Sequence, residues 1–96
     1  MYVRKRNGAV VPFDKEFISR AISLAAAAAG EPDDEAVART TEAIAQKLQA
    51  AQQETVGIET IQDTVEECLF EQQRFRTAKA YILYRIEKEK ERGRED

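Results

Sequence analysis

Arg4, Lys5 and Arg6 stand immediately before Asn7-Gly8, and this is the part of the chain best suited to chemistry. Guanidinium and ammonium groups hold phosphate oxygens, Arg as a planar fork and Lys as a point charge. Asn-Gly is the strongest short-range hairpin signal, because both central residues of a type I′ turn need positive φ. Residues 2–6 and 9–13 flank that turn and are short enough to pair as strands. Alternate residues of a strand share a face, so Val3 and Lys5 point one way, and Tyr2, Arg4 and Arg6 the other. Positive charge therefore falls on both faces, and a charge on the packing face needs a partner. Two readings follow: an edge strand that uses its cations against aggregation, or a clamp for phosphate.

Composition narrows the chemistry. The chain has 96 residues, no His and one Cys, which excludes disulfides, thiolate zinc sites and His-based acid–base catalysis. There is no Walker-type lysine loop and no Gly-rich dinucleotide fingerprint, so binding is the stronger reading than turnover. A chain this size makes one domain with a modest core and is not expected to be an enzyme by itself. It contains no run of 18 apolar residues and no signal peptide, since its most apolar stretch, residues 21–29, sits within an amphipathic pattern. A cytoplasmic location is expected.

The net charge of −3 hides an asymmetry: residues 1–30 carry +3, residues 31–72 carry −9 and residues 73–96 carry +3. If the two basic ends meet, they build a local positive site in an acidic protein. That suits a small polyanion better than nucleic acid, and a pI near 5.1 argues against a DNA-binding face.

The elements that must position these cations read as a hairpin followed by four helices. Asp14 is a good N-cap for the first, with Phe13 able to staple against Ile18. Phe17, Ile18, Ala21, Ile22, Leu24 and Ala25 share one half of its wheel, residues 25–29 are alanines suited to close packing, and Gly30 is the natural stop. Pro32 at or near N1 and Asp33-Asp34-Glu35 open the second helix, whose stripe is Val37, Thr41, Ile44, Leu48 and Ala51. Residues 52–55 read as a loop and Gly57 as the cap of a third helix with Ile58, Ile61, Val65, Cys68 and Leu69 inward. Cys68 on that stripe reads as a buried, inert thiol. The fourth helix begins near Phe75 or Thr77. Its continuation over residues 87–96 is almost wholly charged and interrupted by Gly93, and reads as a helical extension or linker.

Four blocks resemble the ATP-cone, a small nucleotide-sensing domain of ribonucleotide reductases and of a transcriptional repressor of their genes. They are Lys5-Arg6-Asn7-Gly8, Val11-Pro12-Phe13-Asp14, Ile61-Gln62-Asp63-Thr64-Val65-Glu66 and Ala80-Tyr81-Ile82-Leu83-Tyr84-Arg85, in the family's order. The resemblance implies a mainly α, four-helix domain with a small N-terminal β-hairpin over residues 1–86. It also implies ATP or dATP as allosteric ligand, with Mg²⁺ as the ordinary companion of ATP.

Carried onto this sequence, the resemblance gives Lys5 and Arg6 to the triphosphate, and Val3 and Ile18 to the flanks of the adenine. Asp14 either accepts from the adenine amino group or serves only as N-cap. Ile61 and Gln62 would line the base or ribose, and Tyr84, Arg85 and Lys88 would close the site from the fourth helix. Tyr81 is expected in the core, and core packing is the other reading for Tyr84. The chain departs from the family at Phe17, where a lysine is usual, and at Val11, where some members are acidic. The function implied is control of ribonucleotide reductase activity or oligomerisation, through a reductase subunit or self-association. The alternatives are the cone of a nucleotide-responsive transcriptional regulator and a degenerate cone acting as a helical protein-interaction module.

Overall fold

The computed structural model describes the backbone of residues 1–95 and the side chains of residues 1–91. Its elements are β1 (Tyr2–Arg4), β2 (Val10–Pro12), α1 (Lys15–Ala28), α2 (Asp34–Ala50), β3 (Thr55–Gly57), α3 (Ile58–Glu71) and α4 (Phe75–Glu95). The four helices pack in a ring, α1 against α2 and α4, and α3 against the same two. The sheet sits at one end of this bundle and holds the basic hairpin over the start of α1 and α3.

That sheet has three strands rather than the two of a hairpin. Its order is β2-β1-β3, with β1 antiparallel to β2 and parallel to β3. Tyr2 donates its backbone N–H to the Glu54 carbonyl at 2.8 Å, and Val3 faces Val56, both buried. The turn also differs. Lys5 accepts from the Gly8 N–H at 3.0 Å and donates to the Ala9 carbonyl at 2.8 Å, so the loop is Arg6-Asn7-Gly8. Only Gly8 takes positive φ, at 87°, which is a three-residue loop and not a two-residue type I′ turn. The Asn7 side chain accepts from the Ala9 N–H at 3.0 Å and stiffens the turn. Arg6 thereby leaves the strand and projects from the loop.

Helix ends follow local chemistry. Asp14 caps α1 by accepting from the Glu16 N–H at 3.0 Å. Beyond Ala28, Gly30 at φ 75° closes a Schellman motif, with Glu31 N–H bonded to the Ala26 carbonyl. Asp33 caps α2, which places Pro32 before the cap and not at N1. Gly57 precedes α3 and supplies no side-chain cap. Gly93 does not interrupt α4, whose backbone stays helical to Glu95, and Asp96 lies outside the described residues.

The core is built on Ile22, Ile44, Val65 and Leu69, each at most 1% exposed, with Cys68 and Ala78 between them. The α1 stripe is narrower than its wheel: Ile18, Ile22, Ala25 and Ala26 are buried, while Phe17 is 66% and Leu24 59% exposed. Ala51, expected on the α2 stripe, is the exposed C-cap. Cys68 is a free, buried thiol, and burial raises its pKa above the ordinary range.

Candidate functional site

Two adjoining hollows lie between the sheet, α1, α3 and α4, and share the side chains of Phe17, Ile18, Ile58 and Ile61. The first, about 540 Å³, is mainly apolar and runs under the hairpin, where Val3, Val11 and Phe13 meet α1. The second, about 410 Å³, opens toward α4 and carries the charged groups Arg6, Arg85, Lys88 and Glu89. A smaller hollow of about 220 Å³ sits where Arg4, Lys5 and Arg6 face the first turn of α3. That turn is the positive end of a helix whose N–H groups no side chain caps.

Every residue that the resemblance implies for the nucleotide lines one of the two large hollows, while Arg4 lines only the smaller one. Val3, Lys5 and Asp14 belong to the first, and Arg6, Gln62, Tyr84, Arg85 and Lys88 to the second, with Ile18 and Ile61 in both. Lys5 shares the Val3 face of β1, as strand alternation requires, and its ammonium has no ion pair among the described residues. Asp14 commits one carboxylate oxygen to its helix cap. Tyr84 is half exposed, with Lys88 Nζ 5.6 Å from its ring centre. Tyr81 is buried but also reaches the second hollow.

The basic ends of the chain do meet, although not as a bare positive patch. Arg6 donates to Glu59 at 3.2 Å, to Gln62 at 3.2 Å and to Glu89 at 2.5 Å. Arg85 donates to Asp63 and to Glu66, each at 3.1 Å, and its Nε lies 3.8 Å from Glu89. Four carboxylates therefore surround two guanidinium groups. Sequence reading missed these partners, although Asp63 and Glu66 stand one helical turn apart beside Gln62, and Glu89 is one turn beyond Arg85.

Burial alone would lower the Arg85 pKa, but the hydrogen bonds to Asp63 and Glu66 outweigh it and hold the cation fully charged. Tyr81 moves the other way from a free phenol, pushed up to about 12 by burial and then by the nearby Glu66 charge. The second hollow thus offers fixed cations, a phenol that is neutral at physiological pH and a rim of anions. Among the described residues no group of three or more His, Cys, Asp or Glu side chains is arranged to hold a metal ion. None of the described helices is long and apolar enough to cross a membrane.

Phe17 is the other feature the sequence undervalued. It was placed on the packing face, yet its ring stands exposed at the divide between the hollows, with the Arg20 guanidinium 5.8 Å from its centre.

Comparison with known proteins places the chain among relatives. The family model described as the ATP cone domain matches residues 1–90. The chain is 41% identical, over 97% of its length, to an anaerobic ribonucleoside-triphosphate reductase of Salmonella typhimurium strain LT2. It is 40% identical over the same share to the protein of that name from Escherichia coli strain K12. It spans only 13% of each of those relatives.

Proposed function

The chain belongs to the ATP cone family, and from that premise we propose that it is a regulatory module that binds ATP or dATP and controls a ribonucleotide reductase. One observation supports this above the others. Residues from Val3 to Lys88 line a cleft of two adjoining hollows, the first mainly apolar and the second charged. A flat purine suits the apolar hollow, where Val3, Ile18 and Ile61 offer hydrocarbon surface. A polyphosphate suits the end that holds Arg6, Arg85 and Lys88, with Lys5 and the first turn of α3 meeting Arg6 in the smaller hollow beside it. Mg²⁺ would arrive on the phosphates and meet the surrounding carboxylates through water.

The protein's own residues bind and orient in this reading, and none acts as nucleophile or base. Catalysis belongs to another polypeptide segment. Nucleotide joins the hairpin to α4, and a reductase subunit or a second copy of the domain that prefers the joined arrangement reads the nucleotide state, with coupling typically about 1–3 kcal/mol. The two relatives are named as reductases, which favours this over the transcriptional regulator.

Calorimetric titration with ATP, dATP and GTP, with and without Mg²⁺, tests the binding. Saturable heat with the adenine nucleotides supports it. No heat and no rise in Tm at millimolar nucleotide would remove it and leave a helical interaction module. Light scattering under the same conditions, with and without the reductase subunit, reads the output.

A further inference from the structure

The carboxylates around the two guanidinium groups are not equivalent. Among the described residues, Glu59 pairs only with Arg6, while Asp63 and Glu66 pair only with Arg85. Glu89 touches both: its Oε1 lies 2.5 Å from Arg6 Nη2 and 3.8 Å from Arg85 Nε. A carboxylate offers a guanidinium what a phosphate offers, a delocalised anion with fixed oxygen acceptors. Phosphate and Glu89 cannot both fill the space between these two cations.

We propose that Glu89 is an internal counter-anion that competes with the phosphates of a bound nucleotide for Arg6 and Arg85, and so determines how much charge a ligand must bring. The proposal rests on the nucleotide reading above. Arg6 and Glu89 are both partly exposed, at 26% and 43% of their side-chain surfaces, so their pair is softened by solvent. It biases binding and does not lock the cleft. A neutral nucleoside that uses only the apolar hollow leaves the pair in place and feels no competition. A polyphosphate must displace Glu89, and the hairpin then exchanges its attachment to α4 for one through the ligand.

The test is calorimetric titration of the whole chain and of Glu89→Gln with ATP, adenosine and inorganic tripolyphosphate at constant ionic strength. Glu42→Gln is the control: it also removes one negative charge, from the remote pair with Lys15. Gln keeps the size and helix propensity of Glu, and circular dichroism verifies the fold. ATP should bind about threefold to tenfold more tightly to Glu89→Gln, the range between an exposed ion pair and a charge-assisted hydrogen bond. Adenosine should bind all three proteins alike, and the control should match wild type. If wild type binds ATP and Glu89→Gln binds it equally or more weakly, the competition is overturned while the nucleotide reading stands. If no protein takes up ATP or adenosine, the nucleotide reading fails and tripolyphosphate decides the remainder. Tighter tripolyphosphate binding by Glu89→Gln retains the counter-anion, and equal or absent binding removes it.

Discussion

Glu31 Oε1 accepts two hydrogen bonds from Thr77, one from its backbone N–H at 2.9 Å and one from its hydroxyl at 2.6 Å. Arg74 adds a third link, donating to the Glu31 carbonyl at 2.7 Å. The start of α4 is thus satisfied by a residue that follows α1, which fixes the direction in which α4 runs past the cleft. Helix starts need such partners because their first N–H groups have none within the helix.

The Thr77 hydroxyl holds the Glu31 carboxyl below its ordinary value of 4.5. A depressed carboxyl stabilises the fold fully above its unfolded value and loses that contribution as pH falls through the folded value. The loss therefore lies below about pH 4.5. Melting wild type and Glu31→Gln from neutral pH to pH 3 should give Tm curves that differ at neutral pH and converge in acid. Parallel curves would place the acid sensitivity on other groups.

Tyr81 predicts the alkaline limb. Its folded pKa is raised from 10.0 to about 12, so its contribution is complete below pH 10 and is lost as pH rises toward 12. Absorbance at 295 nm should show one phenol that ionises late, together with unfolding. Tyr81→Phe should remove that late step. A full early titration of all three tyrosines would contradict the buried position.

Lys5→Ala and Arg6→Ala should weaken ATP binding about tenfold to a hundredfold each, with the fold intact. Charge-assisted hydrogen bonds contribute about 1.5–3 kcal/mol, whereas exposed ion pairs contribute about 0–1 kcal/mol to stability. The Lys5 effect should be the larger in net affinity, because Arg6 exchanges existing partners for phosphate. Unfolding of both variants, seen by circular dichroism, would make these residues structural.

Phe17→Ala should change the unfolding free energy by no more than about 0.5 kcal/mol, because the ring is largely exposed. Nucleoside and nucleotide affinity should fall together by about tenfold, within the 1–3 kcal/mol typical of base–aromatic stacking. A loss confined to ATP would mean that the ring acts on the phosphates through Arg20.

The helices were legible because their signals are local and repeated. Asp14, Gly30 and Gly57 mark ends, and Ile61, Val65, Cys68 and Leu69 keep one face over more than two turns. β3 was not legible. Thr55-Val56-Gly57 is too short to show alternation, and its pairing with β1 is a contact between distant segments that no local pattern announces. The turn was read one residue short, because Asn-Gly serves a three-residue loop as readily when only Gly8 must take positive φ. Phe17 and Leu24 were assigned inward by a wheel that counts apolarity without knowing how much of the helix the neighbours cover.

The ten residues that the family resemblance implies for the nucleotide all line the two hollows. What they touch there was hidden. Whether Arg6 stands free or paired depends on Glu59, Gln62 and Glu89, which reach it from α3 and α4 only once the bundle closes.

The parallel pairing of β1 with β3 also governs when the cleft exists during synthesis. The central strand of the sheet is made before α1 and α2, yet its second partner follows only after them. Contacts between such distant segments form late, since the intervening loop must first be closed. The charged end is later still, awaiting α4. A nascent chain therefore passes through a stage with basic hairpin and early helices but no binding site. On the proposed function, a nucleotide response requires α4 to have docked, because Tyr84, Arg85 and Lys88 complete the charged hollow.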